Sequence, residues 1–194
     1  ADEAELLRYA YRVAGTVGLL MCHVLDCHEP KAKAHAIDLG IAMQLTNIAR
    51  DVLEDAQMGR RYLPTTWTGD ISPKQIVEAA DNPTGQHGQI ITQSVKRLLA
   101  LSEQFYSSGA KGFPQLHWRA HMSIAIAAKV YRQIGVQLAH KGHIWHQGRQ
   151  VTSRSRKLIC SVKAISGLSK RIVRKKHEHN STLHNSLGGL PYVS

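Results

Sequence analysis

The sequence predicts an all-α fold, and three observations support this prediction. Apolar residues recur at three- and four-residue spacing along Ile41 to Met58, a stretch that contains neither Gly nor Pro. Similar spacing marks Ala4 to Leu25, Gln89 to Ser107 and His117 to His140. Segments rich in Gly, Pro, Asn and Asp separate these stretches, as expected for turns between helices.

The first predicted helix, Ala4 to Leu25, contains two glycines that need an explanation. Its apolar stripe consists of Leu6, Leu7, Ala10, Val13, Ala14, Val17 and Leu20. Gly15 and Gly18 interrupt it, and each costs about 1 kcal/mol relative to Ala inside a helix. They allow either close packing of two helices or room for a bulky ligand, and the spacing by itself favours packing.

A second, central helix is expected to begin at Lys31, after a short polar connection from Asp26 to Pro30. Pro64 is expected to end this region, because proline cannot continue the helical hydrogen-bond ladder. Ser72 to Ala80 then fits a short helix, with a serine N-cap and a proline in the first turn.

The last part of the chain is predicted to contain one more helix and a tail. Gly142 to Thr152 is interpreted as a loop, and Lys157 to about Lys176 as the last helix. The helical domain is therefore expected to span residues 1–176, followed by a flexible tail from 177 to 194.

Composition restricts the class of protein. A chain of 194 residues with 43% hydrophobic content can build one domain with a core. No window approaches the ~18–20 apolar residues that a membrane-spanning helix needs. The three cysteines include no Cys-x-x-Cys pair, which argues against a zinc ribbon or a disulfide framework and fits a reducing cytoplasm.

The net charge of +11 is concentrated after Arg149. These basic residues lack interleaved aromatic residues or a known nucleic-acid-binding motif, so a nucleic-acid partner is not predicted. Contact with anionic phosphate or lipid headgroups fits the charge equally well. A solvated helix face is the simplest interpretation.

Asn47, Asp51 and Asp55 form the main candidate site. Their i, i+4, i+8 spacing stacks three oxygen-bearing side chains along one helix face. Carboxylates at i, i+4 repel by roughly 0.2–0.5 kcal/mol, and a divalent cation would compensate that charge. Oxygen ligands suit Mg²⁺, or Mn²⁺ in its place. Gln44 and Arg50 lie within a turn, and the arginine fork fits diphosphate oxygens.

A second interpretation of the same residues needs no metal. Asp51 and Asp55 could form a solvated acidic face, with Arg50 and Glu54 as an i, i+4 ion pair. For an isolated Asp-x-x-x-Asp pattern this would be the better hypothesis, because such pairs are common by chance.

The histidines of the C-terminal half are interpreted as ordinary surface residues. His117 and His121 have the i, i+4 spacing of metal-binding pairs, but no glutamate accompanies them as in a zinc protease. The same interpretation covers His140, His143 and His146.

Three segments carry a resemblance to a known family. Gln-x-x-Asn-x-x-Arg-Asp-x-x-x-Asp, followed by Gly59 to Pro64, resembles the second aspartate-rich motif of the squalene and phytoene synthase family. Tyr9 to Gly18 is similar to the family segment Tyr-Cys-Tyr-x-Val-Ala-Gly-Thr-Val-Gly, with Ala10 replacing the cysteine. Gly148 to Ser153, with Lys157, resembles Gly-Arg-x-Val-x-Ser-x-x-x-Lys.

This resemblance implies a fold and a set of site residues. The fold would be an isoprenoid-synthase-type helical bundle around a central cavity. Asn47, Asp51 and Asp55 would bind Mg²⁺, whereas Arg50 and Arg149 would hold a diphosphate. Facing the prenyl chain or the reacting intermediate would be Gln44, Tyr9 and Tyr131. Aromatic faces can stabilise a carbocation as they do other cations.

The resemblance also implies a reaction. It would join two geranylgeranyl diphosphates head to head, through a cyclopropyl diphosphate, to give phytoene in carotenoid biosynthesis. The alternative within the family is a squalene or dehydrosqualene synthase that uses farnesyl diphosphate. A hypothesis of another class is a non-catalytic relative that acts in binding or assembly, but such a protein would be expected to lose the metal-binding side chains.

One family feature is missing from the sequence. The family has a first Asp-x-x-x-Asp motif, with a basic and aromatic segment, well before the tyrosine helix, and none precedes Tyr9 here. The chain also opens on acidic residues without Met. We therefore expect the C-terminal part of a longer enzyme, inactive as given. It would be cytoplasmic, with peripheral membrane contact because the apolar product must leave toward lipid.

Overall fold

The computed structural model describes residues 2–147 and 178–193, and in these ranges every regular element is helical. The all-α prediction is confirmed. The α-helices are α1 (Glu3–Ala10), α2 (Thr16–Val24), α3 (Pro30–Arg50), α4 (Val52–Gln57), α5 (Thr65–Thr68), α6 (Pro73–Ala80), α7 (Gln86–Ala110) and α8 (Trp118–His140). A π-helical turn (Tyr11–Gly15) joins α1 to α2, and 3₁₀ turns cover Phe113–Gln115 and Ser181–Leu187.

Helix α3 forms the centre of the fold. It packs most extensively against α7 and also contacts α1, α2 and α8. Ile37, Ile41 and Leu45 are fully buried along it. Because neighbours surround this helix, its polar side chains Asp38 and Thr46 are fully buried as well and need partners inside the protein.

The two glycines most important for packing lie where α2 meets α3. A Cβ atom at Gly18 would come within 2.2 Å of the Ala36 carbonyl oxygen, and one at Gly40 within 2.2 Å of the Ala14 carbonyl oxygen. Only glycine fits where two helix backbones approach so closely. Close packing therefore explains Gly18, although the same residue also borders an apolar cavity.

The first predicted helix is continuous in outline, but its apolar stripe was only partly correct. Leu6, Leu7 and Ala10 are buried as expected. By contrast, 43% of Val13, 51% of Val17 and 60% of Leu20 are exposed. The reason is geometric, since the small residues of α2 face α3 and turn these larger side chains outward.

The prediction of one unbroken helix from Ile41 to Met58 was wrong at Asp51. This residue has φ −105° and ψ 18°, outside the α-helical region, and it separates α3 from α4. Arg50 and Asp51 form an ion pair there. Adjacent side chains do not face each other on a regular helix, so the local break accommodates this pair.

Gly59, and not Pro64, ends the central helical region. Its φ of +74° is left-handed, a conformation typical of the glycine that follows a helix. The Arg60 amide donates to the Asp55 carbonyl at 2.8 Å, and the Gly59 amide donates to the Ala56 carbonyl at 2.9 Å. This pair of hydrogen bonds is a Schellman motif, and it turns the chain back toward Asp55.

Helices α6, α7 and α8 agree with the sequence apart from their ends. Ser72 caps α6 in a capping box with Gln75, as the serine–proline pair predicted. Helix α7 begins three residues earlier than expected, at Gln86, and continues to Ala110. Helix α8 follows its N-cap His117 and ends at His140 as predicted.

The expected flexible tail is instead packed against the helices over residues 178–193. His184 and Leu187 are buried, with 1% and 0% exposed. The Tyr11 hydroxyl donates to the Pro191 carbonyl at 2.6 Å, and Arg8 donates to the Gly188 carbonyl at 3.0 Å. The polar composition of residues 178–193 did not predict this packing, because buried histidines supply much of the contact.

Several sequence predictions lie outside the described residues. These are Arg149, the family-like segment with Lys157, the helix predicted to end near Lys176, and Cys160. Cys22 and Cys27 are described and are buried thiols. Among the helices of residues 2–147 and 178–193, none combines the length and apolar character required to cross a bilayer.

Gly18→Ala should lower the free energy of unfolding by roughly 1–3 kcal/mol, the usual cost of overpacking. The added methyl group would collide with the Ala36 carbonyl oxygen. Urea denaturation followed by circular dichroism measures the change. Gly188→Ala is the matched control, because the nearest atom to a Cβ there is 3.9 Å away. Equal stability of the two variants would contradict the close contact.

Candidate functional site

The oxygen column of Asn47, Asp51 and Asp55 remains aligned across the break between α3 and α4. The Asp51 amide donates to the Asn47 carbonyl at 3.0 Å, and the Asp55 amide donates to the Asp51 carbonyl at 2.8 Å. These i to i−4 bonds keep the three residues one turn apart on the same side. All three are half-buried, so the column is not a fully solvated face.

Unsatisfied oxygen atoms gather around this column. Asn47 Oδ1 and Glu54 Oε2 are buried without a hydrogen-bond partner. Burial and the negative charge of Asp51 raise the pKa of Asp55. Buried oxygens without donors, next to a carboxylate whose charge is disfavoured, fit a hard divalent cation. Asn47, Asp51 and Asp55 are therefore suitable ligands for Mg²⁺ or Mn²⁺.

Arg50 contributes a buried positive charge at the middle of the column. Its Nε donates to Asp51 Oδ1 at 2.6 Å, and only 9% of the residue is exposed. Hydrogen bonding to Asp51 raises the pKa of Arg50 above its already high value. The metal-free interpretation assumed that Arg50 pairs with Glu54. In the structure, Arg50 pairs with Asp51 instead. Its guanidinium could exchange this partner for a diphosphate oxygen.

Tyr9 and Tyr62 lie at the Asp55 end of the column. Their rings stack with centroids 5.1 Å apart and an interplanar angle of 24°. Burial and the Tyr62 hydroxyl raise the pKa of Tyr9 to about 12, and the charges of Asp55 and Arg60 also act on it. Tyr9 therefore stays protonated at neutral pH and presents a neutral hydroxyl and an aromatic face.

The remaining predicted residues occupy different positions. Tyr131, on α8, is 37% exposed and lies close enough to Arg50 for electrostatic interaction. Gln44 is half-buried on α3, one turn before Asn47. Tyr9 therefore lies near Asp55 and Tyr131 near Arg50, whereas Arg149 lies outside the described residues.

An apolar cavity of about 220 Å³ lies beside the column. Residues of α2, α3 and the region around Phe113 line it. Ala36, Gly40 and Met43 form its α3 wall, and Asn47 follows Met43 by four residues on the same helix face. The cavity and the oxygen column are thus consecutive along one side of α3.

Two residues that the sequence did not single out also belong to the candidate site. Arg60 and Tyr62 line a small cleft together with Asp55. Arg61, in contrast, donates to the Gly69 carbonyl at 3.4 Å and to Thr65 Oγ1 at 3.0 Å, so it holds the loop. Arg60 and Tyr62 both lie in the Gly59 to Pro64 segment of the sequence. Only the Schellman turn shows that Arg60 is directed to Asp55.

The surface interpretation of the histidines was wrong for His121. Only 6% of it is exposed, and its ring lies 5.7 Å from the Phe113 ring. His117 and His140 are exposed as expected, whereas His143 and His146 are half-buried. His121 packs next to the segment that borders the apolar cavity, which periodicity along α8 did not reveal.

Comparison with known proteins identifies the family of the chain. The sequence profile described as "Squalene/phytoene synthase" matches residues 1–156. The chain belongs to the squalene/phytoene synthase family. Residues 1–156 include Tyr9, the oxygen column, Tyr131 and Arg149.

Individual relatives are similar over most of the chain. It is 39% identical to 15-cis-phytoene synthase of Enterobacter agglomerans over 173 residues, which cover 88% of this chain and 57% of the relative. It is also 39% identical to 15-cis-phytoene synthase of Pantoea ananas, covering 79% of this chain and 48% of that protein. The chain thus spans about half the length of these curated relatives.

A solved structure supports the fold assignment. A dehydrosqualene synthase crystallised in complex with a ligand superimposes with a TM-score of 0.72 at 31% sequence identity. The match covers 85% of this chain and 57% of that structure. The expected isoprenoid-synthase-type helical fold is confirmed.

Asp55→Asn should raise the stability of the metal-free protein at pH 7 by roughly 0.2–0.5 kcal/mol, the repulsion of two carboxylates at i, i+4. Because the folded pKa of Asp55 is raised, its charged form is disfavoured by folding. That penalty applies above the folded pKa and disappears below the unfolded pKa of about 3.9.

Thermal unfolding of both proteins in EDTA, at pH 7 and near pH 3, measures this difference. The gain should be present at pH 7 and absent near pH 3. Asp81→Asn, at an exposed turn position, is the control. A loss of stability in Asp55→Asn at pH 7 would contradict the unfavourable charge.

Proposed function

We propose that this chain contributes the metal- and diphosphate-binding part of a phytoene-synthase-type prenyltransferase of carotenoid biosynthesis. One observation carries the proposal: an apolar cavity and a column of oxygen ligands lie consecutively along one face of α3. This arrangement suits an amphiphile with a long apolar chain and an anionic head. A prenyl diphosphate has that chemistry.

Asn47, Asp51 and Asp55 would hold Mg²⁺, with Mn²⁺ as an alternative, and Glu54 lies close to them. The bound ion would neutralise the diphosphate and help it to leave. Arg50 would exchange Asp51 for a diphosphate oxygen, and the exposed Arg60 would bind from the Asp55 side. Arg149 is proposed as a third diphosphate ligand from its place in the family-like segment.

The aromatic residues would act on the prenyl part. Tyr9, stacked on Tyr62, presents a protonated hydroxyl and a π-face near Asp55. Such a face stabilises the positive charge that develops when diphosphate leaves. Tyr131 would act from the α8 side near Arg50, and Gln44 would contact the chain between cavity and column. Apolar walls exclude water from the reacting carbon.

Geranylgeranyl diphosphate is the proposed substrate, with two molecules joined head to head through a cyclopropyl diphosphate to phytoene. The relatives named phytoene synthase support this choice. The second candidate is farnesyl diphosphate, which the similarity to a dehydrosqualene synthase structure favours. We further propose a cytoplasmic protein that contacts the membrane peripherally, so that the apolar product leaves into lipid.

Calorimetric titration tests the proposed site directly. The 194-residue chain would be titrated with a non-ionising geranylgeranyl thiodiphosphate, with Mg²⁺ and with EDTA. We expect binding that depends on Mg²⁺, weakened at least about tenfold by Asp51→Asn and by Asp55→Asn, since even outer-shell partners of a metal change affinity on this scale. Asp70→Asn is the matched control, because Asp70 is exposed in a turn away from the column.

The outcomes separate the hypotheses. Equal binding in EDTA, or normal binding by both column variants, would refute the metal assignment. If farnesyl thiodiphosphate bound as tightly as the longer analogue, the second substrate would be favoured. No binding of either analogue by the folded chain would refute the proposal that these residues by themselves hold the diphosphate.

A further inference from the structure

A second polar cluster lies on α3, away from the oxygen column. Its centre is Asp38, which is completely buried. The carboxylate accepts a hydrogen bond from Ser108 on α7 and lies 2.8 Å from both His179 Nε2 and His184 Nε2. Burial would raise the pKa of Asp38, but these three hydrogen-bonded neighbours lower it overall. Asp38 is therefore a carboxylate with two imidazoles directed at it.

His35 adds a third imidazole to this cluster. It lies one turn before Asp38 on α3, and only 1% of it is exposed. One ring nitrogen interacts with the Ser108 backbone, and the other is left without a hydrogen-bond partner. The His35 ring is 5.3 Å from the His179 ring. A buried imidazole nitrogen without a partner is unfavourable unless a ligand lies between the His35 and His179 rings and bonds to it.

The ligand atoms are compact enough for a metal ion. One donor atom each from His35, Asp38 and His179 lies within 4.8 Å of the other two. A tetrahedral zinc ion with bonds of about 2.0–2.1 Å places its ligand atoms about 3.3 Å apart. Modest rotation of the imidazole rings would bring these atoms to that separation.

We propose that His35, Asp38 and His179 bind a divalent transition-metal ion of the zinc class. Two imidazoles and one carboxylate are the donors that such an ion prefers, whereas Mg²⁺ prefers oxygen. His184 binds the other carboxylate oxygen and thereby orients Asp38 as an outer-shell partner. A fourth ligand position is left for water or another donor.

This site is separate from the oxygen column. Asp51 follows Asp38 by 13 positions, which corresponds to about 20 Å at the helical rise. The inference is also independent of the proposed function, because it concerns different residues and a different class of ion. Its structural effect is to join residues 178–193 to α3, so that metal binding stabilises their packed position.

Metal titration of the intact 194-residue chain tests the proposal. After EDTA treatment and dialysis, the protein would be titrated with Zn²⁺ by calorimetry and with Co²⁺ by visible absorption. We expect one ion per chain at this site, with the d–d bands of a tetrahedral Co²⁺ complex and a raised melting temperature. The Co²⁺ spectrum of the unmodified protein needs no variant, so it remains informative if a substitution unfolds the chain.

Variants then locate the ion. His35→Gln and His179→Gln should each weaken Zn²⁺ binding at least about tenfold, with folding checked by circular dichroism. His140→Gln, at an exposed position on α8, is the control for nonspecific histidine binding. Asp55→Asn is the control for the oxygen column and should leave Zn²⁺ affinity unchanged.

Three results would overturn the proposal. They are the absence of stoichiometric Zn²⁺ binding by the unmodified chain, normal affinity in both folded histidine variants, and loss of the ion in Asp55→Asn. None of them affects the Mg²⁺-dependent thiodiphosphate titration, so the two proposals fail separately. In the first case, the hydrogen bonds to Asp38 and the contacts of Tyr11, Arg8 and Leu187 would hold residues 178–193 in place without an ion.

Discussion

The packing of α3 among α1, α2, α7 and α8 is the constraint on which the other features depend. A helix surrounded by α1, α2, α7 and α8 cannot satisfy polar side chains with bulk water. Its polar residues must therefore be paired inside the protein or serve as ligands. The close approach at Gly18 and Gly40 is part of the same constraint, because it brings the helix backbones into direct contact.

Two polar clusters satisfy this constraint on α3 in different ways. Asn47, Asp51 and Asp55 present oxygen atoms at the end of the helix, where the backbone opens at Asp51 and a Schellman turn returns Arg60. Asp38 instead lies in the middle of the helix and is surrounded by imidazoles. Hard oxygen donors and mixed nitrogen and oxygen donors select different ions, so the two clusters are chemically distinct.

The apolar cavity links the two clusters. His35 borders the cavity as well as the Asp38 cluster, while Met43 borders it one turn before Asn47. One helix thus carries an apolar wall flanked by polar groups at both ends. In the proposed function, this order would place the anionic end of a prenyl diphosphate at the column and its apolar chain along α3.

Local periodicity was sufficient to predict the helical class, the positions of α6, α7 and α8, and the oxygen column, because these depend on spacing along one helix. It could not predict the outward orientation of Val13 and Val17, the break at Asp51, or the burial of His121 and residues 178–193. The break at Asp51 accommodates a pair between the neighbouring residues Arg50 and Asp51, whereas the other features arise from contacts between residues far apart in the chain, such as Asp38 with His184. The motif placed Arg60 and Tyr62 in sequence, but only three-dimensional packing brought them to Asp55 and Tyr9.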